Sequence, residues 1–197
     1  IPRGDKFAII TNAGGPGIVC TDAIENEAVK MARFSEETIK KLKEELPAES
    51  NFYNPVDIIG DAPPERYKKA IDTLFQCPDD EVAGGIVLLT PQSQTNPEGV
   101  AKLCKELHEK YPAKVMVGAF IGGVSVEKPT QVLNKEGVPT YAFPEDAVKV
   151  LAGLLKYRKI KNSPIITEKQ VPKIEVDKAR VRKIIDQVRE DNRTVLL

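Results

Sequence analysis

Short apolar runs alternate along this chain with stretches whose apolar residues recur every three or four positions. The first pattern predicts buried strands and the second predicts helices with one covered side. The opening strand is Lys6 to Ile10, followed by a glycine-rich turn and a helix over 18–34 that can bury Ile18, Ala23, Ile24, Ala28, Met31 and Ala32. Ser35 is placed to cap a second helix, which runs to about Leu46 and is stopped by Pro47. Val56 to Ile59 is a short strand, and Pro63-Pro64 opens a helix through Tyr67, Ala70, Ile71, Leu74 and Phe75. Gly85 to Leu89 is apolar throughout and reads as a central strand. Asn96-Pro97 starts a helix through Val100, Leu103, Cys104 and Leu107. Then come a strand over 114–120, a helix over 126–135, an edge-like strand over 138–141 and a helix from Pro144 to Tyr157.

Five strands with helices between them predict an α/β fold. It is a flavodoxin-like three-layer sandwich with a five-stranded, mostly parallel sheet in the order 2-1-3-4-5. Eight such units would be needed for a barrel. Ligands are then expected at the C-terminal ends of the strands. This domain occupies residues 1–160. Residues 161–197 form a linker, poor in core patterning to about Val176, and a helix that Asp177 caps, with a narrow apolar stripe at Ala179, Val181, Ile184, Ile185 and Val188.

Composition narrows the class. Among 197 residues, 29 basic and 29 acidic side chains cancel, which argues against nucleic-acid binding. No apolar run approaches the roughly 20 residues of a membrane span. Cys20, Cys77 and Cys104 are far apart, odd in number and outside metal-ligand spacing, which suggests a reducing, cytoplasmic setting. The start at Ile1-Pro2-Arg3 has the look of a chain beginning inside a longer protein.

The candidate chemistry sits at the strand ends. Asn12, Ala13, Gly14, Gly15, Pro16 and Gly17 form a turn whose glycines are expected to take positive φ and approach a ligand closely. Unpaired N–H groups at the start of the next helix suit an anion, a phosphoryl group in the first place. The pattern is neither a P-loop nor G-x-G-x-x-G, and a bare strand–helix connection reads equally well. Asn54 and Asp57 can order loops or hydrogen-bond a ligand, and Gly60-Asp61 follow at the end of the same strand. The loops over 90–95 and 120–123 fall at the same edge. His108, the only histidine, sits late in a helix among Lys105, Glu106, Glu109 and Lys110 and reads as part of a solvated face. Cys20, near a helix start, reads as packing rather than as a nucleophile. No nucleophile–base set is evident, and no metal site.

Taken in order, Ile10 to Gly17 with Asp22, Asn54 to Ala62, Leu89-Thr90-Pro91-Gln92, Gly137-Val138-Pro139 and Pro144 to Val148 resemble the NDP-forming acyl-CoA synthetase family, which includes the ADP-forming acetyl-CoA synthetases and is related to succinyl-CoA ligase. The match covers about residues 1–160 and is to the second flavodoxin-like ligase domain, similar to the C-terminal domain of the succinyl-CoA ligase β subunit.

The resemblance implies a reaction: acyl-CoA, ADP and phosphate exchanged with carboxylate, CoA and ATP through an acyl phosphate and a phosphohistidine. It implies that the backbone N–H groups around Gly14, Gly15 and Gly17 bind phosphoryl oxygens, with Asp22, Asn54, Asp57 and Gly60 in support. The histidine is expected on another domain, so this chain alone is expected not to turn over. The implied partners are a CoA-binding domain, a phosphohistidine ligase domain and an ATP-grasp domain, with Mg expected in the last; residues 179–197 resemble the lead-in to it. Two other readings stand beside this one. One is a flavodoxin-like nucleotide- or flavin-binding module, against which the absence of Trp counts. The other is a subunit-docking module without catalysis.

Overall fold

The computed structural model describes residues 1–164, 175–193 and 195. The described residues form two compact units, Ile1–Asn162 and Ser163–Leu197.

The first unit is built from six strands and six helices: β1 (Lys6–Thr11), α1 (Gly14–Glu25), β2 (Lys30–Met31), α2 (Glu36–Glu45), β3 (Val56–Asp57), α3 (Pro64–Phe75), β4 (Gly84–Leu89), α4 (Pro97–Lys110), β5 (Val115–Phe120), α5 (Val124–Lys135), β6 (Thr140–Tyr141) and α6 (Pro144–Lys161). All pairings between these strands are parallel, in the order β2-β1-β4-β5-β6, with β3 also paired to β1. The predicted order is therefore present, with β3 in the place of the second strand.

The sixth strand is the departure. The predicted helix over 18–34 ends at Glu25, where Asn26 caps it and its side-chain amide donates to Asp22 O (2.9 Å). The chain then turns and Lys30–Met31 join β1 opposite Lys6 and Phe7. Ala28, Met31 and Ala32 fit a helical period, but Ala28 lies in the turn and backbone bonds Lys30 N–H to Asp5 O and Ala32 N–H to Phe7 O hold the residues after it against β1. Since Ile10 and Thr11 pair with both β3 and β4, β3 lies on the edge of β1 that β2 also uses. Two two-residue strands thus share that edge.

Alternation along the strands makes the two cores. Phe7, Ile9, Ile86, Leu88, Val117 and Ala119 face one side, packed with Cys20 and Ile24 of α1 and Val148 and Leu151 of α6. Ala8, Ile10, Val87, Leu89, Met116 and Phe120 face the other, with α3, α4, Leu42 of α2 and Leu133 of α5. Burial on both faces is why these strands read as unbroken apolar runs. Ser35 caps α2 through Thr38 N–H, as predicted, and Asn96, at the predicted helix start, caps α4 through Gly99 N–H.

In the second unit α7 (Lys178–Glu190) is capped by Asp177, whose carboxylate accepts from Arg180 N–H (3.0 Å). Most of the predicted linker lies outside the described residues. Among the described residues, no helix is long and apolar enough to cross a membrane.

Candidate functional site

The strand ends of β1, β3, β4 and β5 meet around the first turn of α1. Thr11 ends β1, and its Oγ1 accepts from Ala13 N–H (3.0 Å) while donating to Ala13 O (2.7 Å). That closed loop settles where α1 begins. Gly14, Gly15 and Pro16 are its first three residues, and Gly17 N–H makes its first helical bond, to Ala13 O (3.3 Å).

The expected positive φ is not seen at these glycines; among the described residues it occurs at Gly123, Gly137, Ile59 and Asn192. The glycines lie inside the helix, one turn earlier than predicted. Gly17 is glycine because of a close approach: a Cβ there would sit 3.2 Å from Thr11 Cγ2 and 3.6 Å from Pro55 Cβ. Gly15 faces open space.

The donor set follows from this geometry. Gly17 N–H is spent in the helix and Pro16 has none. Gly14 and Gly15 are exposed, and among the described residues nothing accepts from their N–H groups. α1 carries no acidic residue in its first turn, whereas α2 to α6 all do. The positive end of α1 is therefore left without a counter-charge of its own.

Asn12 is 1% exposed, so its side chain serves the scaffold. Its Oδ1 accepts from Thr90 N–H (2.9 Å) and Thr90 Oγ1 (3.2 Å), and its Nδ2 donates to Thr90 O (2.8 Å) and Thr95 Oγ1 (3.4 Å). Gln92 Nε2 donates to Asn12 O (3.4 Å), and its amide lies where a Gly60 side chain would be. Gly122 is closed in by Pro91 in the same way, its missing Cβ 2.7 Å from Pro91 Cδ. Thr90, Gln92 and Thr95 belong to the loop over 90–95 that the sequence places at this edge; their bonds to Asn12 are what the sequence did not show. The signal for that loop was its polar Thr-Pro-Gln directly after a wholly apolar strand, at the C-terminal strand edge.

Asp57 stands beside the helix start. Its Oδ1 accepts from Ile59 N–H (2.9 Å), and its Oδ2 is 3.5 Å from where a Gly14 Cβ would stand. Asn54 lies further down the edge of β1: Oδ1 accepts from Ile9 N–H (2.8 Å), and Nδ2 donates to Phe7 O (2.9 Å) and Ala32 O (3.1 Å). Asp22 is exposed two turns along α1, about 12 Å from its start at the helical rise.

The remaining reactive side chains stand apart. Burial, with a smaller push from the Glu145 carboxylate, drives the Cys20 thiol up to about 12, and burial does the same to Cys104. His108 is half-buried rather than solvated, with a buried Nδ1 that lacks a partner, in the last turn of α4. Among the described residues, no group of His, Cys, Asp or Glu is arranged to hold a metal ion.

Comparison with known proteins points one way. Residues 7–167 match the family described as the Ligase-CoA domain. The acetate–CoA ligase (ADP-forming) I of Archaeoglobus fulgidus is 37% identical over 194 residues, 98% of this chain but 27% of that protein. The crystal structure of PH0766 from Pyrococcus horikoshii OT3 superposes with a TM-score of 0.77 at 32% identity, covering 83% of this chain and 38% of that one. The Ca. Korarchaeum cryptofilum dinucleotide-forming acetyl-coenzyme A synthetase 1, solved in complex with phosphate and ADP, superposes with a TM-score of 0.75 at 28% identity, covering 84% of this chain and 37% of that one. The chain spans about a quarter to two fifths of the length of these relatives.

Proposed function

The chain belongs to the Ligase-CoA domain family, and we propose that it is the phosphoryl-holding domain of an ADP-forming acyl-CoA synthetase. The observation that carries this reading is the pair of N–H groups, Gly14 and Gly15, without a partner among the described residues, at the start of a helix whose own first turn holds no acidic residue. A phosphoryl oxygen placed there receives two aimed donors and the field of α1. Donors fixed by Thr11, Asn12 and Thr90 need no reorganisation when charge arrives, which is how such a site lowers a barrier. The parent enzyme interconverts acyl-CoA, ADP and phosphate with carboxylate, CoA and ATP.

The domain supplies no nucleophile. Cys20 and Cys104 are buried thiols held protonated, and His108 lies in the last turn of α4, whereas the strand-end loops adjoin that helix's start. The histidine that carries the phosphoryl group therefore comes from a separate ligase domain, and the isolated chain does not turn over. Asn12, Ala13, Pro16 and Gly17 shape the cradle, while Asp22, Asn54, Asp57 and Gly60 support it. CoA, ADP and Mg bind elsewhere in the parent, the last two in an ATP-grasp domain toward which residues 161–197 lead. The three free cysteines fit a cytoplasmic setting. A docking role for the same edge has one observation in its favour: Val124 and Phe143, at the ends of β5 and β6, are 88% and 60% exposed. That surface suits contact with the partner domains.

The test is a phosphate titration of the 197-residue chain followed by amide NMR. The expected result is a saturable shift of the Gly14 and Gly15 signals, larger than that of Gly17. No movement of either signal overturns the cradle.

A further inference from the structure

The strongest unassigned feature of the site is a negative charge beside it. Asp57 Oδ1 is occupied by Ile59 N–H, but among the described residues nothing donates to Oδ2. That oxygen is 3.5 Å from the position of a Gly14 Cβ, at the turn that offers the two free N–H groups. The other ionisable groups around it do not neutralise it. Tyr67 of α3 is buried with its hydroxyl donating to Leu88 O, and the Arg66 guanidinium is already bonded to Ile58 O and Asp61. Neither the first turn of α1 nor the loop over 90–96 contains an ionisable side chain.

An anion entering this turn therefore meets two donors and one acceptor. A fully deprotonated oxyanion satisfies the donors and is repelled by the acceptor. An oxyanion that keeps a proton satisfies all three, its O–H donating to Asp57 Oδ2. We propose that Asp57 is the specificity-determining residue of the cradle, selecting oxyanions that carry a hydroxyl proton over those that do not. This rests on the cradle reading above and adds the ligand class: a singly protonated phosphoryl group or dihydrogen phosphate, in preference to a bare dianion such as sulfate.

Sulfate and phosphate have nearly the same size and shape, so they isolate the proton. The full 197-residue chain is titrated with each near pH 6, where most inorganic phosphate carries two protons and sulfate none, following the Gly14 and Gly15 amides. Phosphate is expected to bind about tenfold or more tightly than sulfate, the worth of one charge-assisted hydrogen bond. In Asp57→Asn, which keeps an Oδ1 acceptor for Ile59 N–H, that preference is expected to collapse to about twofold or less as sulfate binding rises. Equal binding of the two anions by the unsubstituted chain overturns the proposal without needing the variant. A preference that survives in a folded Asp57→Asn also overturns it, and leaves the cradle standing. Silence of both amides toward both anions removes the cradle itself and the proposal with it.

Discussion

Asn12 and Thr90, 78 residues apart, close on each other through three hydrogen bonds, from Thr90 N–H and Oγ1 to Asn12 Oδ1 and from Asn12 Nδ2 to Thr90 O. The amide completes, beyond the last register pair of β1 and β4, the ladder that the backbone no longer makes. Asn12→Ala leaves Thr90 N–H and C=O without partners in a partly buried place. The expected loss of stability is about 2–4 kcal/mol, from two stranded backbone groups, and urea denaturation measures it. Because Asn12 fixes the position of the next helix, the phosphate-induced shift of Gly14 and Gly15 weakens in the same variant.

Two neighbouring glycines separate helix propensity from packing. Gly15 faces open space, so Gly15→Ala gains about 0.5–1 kcal/mol from helix propensity. Gly17→Ala gains the same propensity but forces a Cβ to 3.2 Å from Thr11 Cγ2. Crowding in a well-packed place costs about 1–3 kcal/mol, so the net effect is destabilising. Thermal melts of the two variants should move in opposite directions.

These contrasts show what the sequence could carry. The long apolar strands, the caps Ser35 and Asp177 and the helix start at Asn96 were legible because each rests on local chemistry: a run buried on both faces, or a side chain bonding its own helix. β2 was not legible, because two residues joining a sheet edge make no periodic signal and their neighbours fit a helix. The glycines marked the right turn for a partly different reason. A glycine inside a helix and a glycine at positive φ look alike in sequence, and the contact between Gly17 and Thr11 exists only once the strand and helix meet. The long-range partners of Asn12 could not be read at all.

Alkaline pH should unfold this chain steeply. Burial raises Cys20 and Cys104 to about 12. Below the unfolded thiol range, about 8.5, both states hold their protons and pH has no effect through them. Above it the unfolded chain releases protons that the folded chain keeps, so stability falls until the folded values are passed. Each thiol contributes a slope of up to about 1.4 kcal/mol per pH unit. Urea midpoints taken between pH 8 and pH 10 should drop. Replacing both cysteines with Ala should flatten that drop, even though the double variant starts less stable.

The edge of β1 gives the last prediction. β2 covers its start, where Phe7 O takes Ala32 N–H, and β3 its end, and between them Ile9 N–H would face a gap. Asn54 fills it: its carbonyl takes Ile9 N–H, and its NH2 serves Phe7 O on β1 and Ala32 O just past β2. One side chain thus does the work of the missing strand residue and ties both short strands to β1. Asn54→Ala removes three bonds and strands Ile9 N–H in the sheet, where the Ile9 side chain is wholly buried. The expected cost is about 2–4 kcal/mol. Asn54→Asp should cost nearly as much, since a carboxylate still accepts from Ile9 but cannot donate to the two carbonyls. Hydrogen exchange locates the effect. In either variant the Ile9 amide should lose protection well before the amides of Ile86 to Leu88, which β1 and β5 cover on both edges. Uniform loss of protection across the sheet would mean that Asn54 acts only on global stability, and not as the seal of this edge.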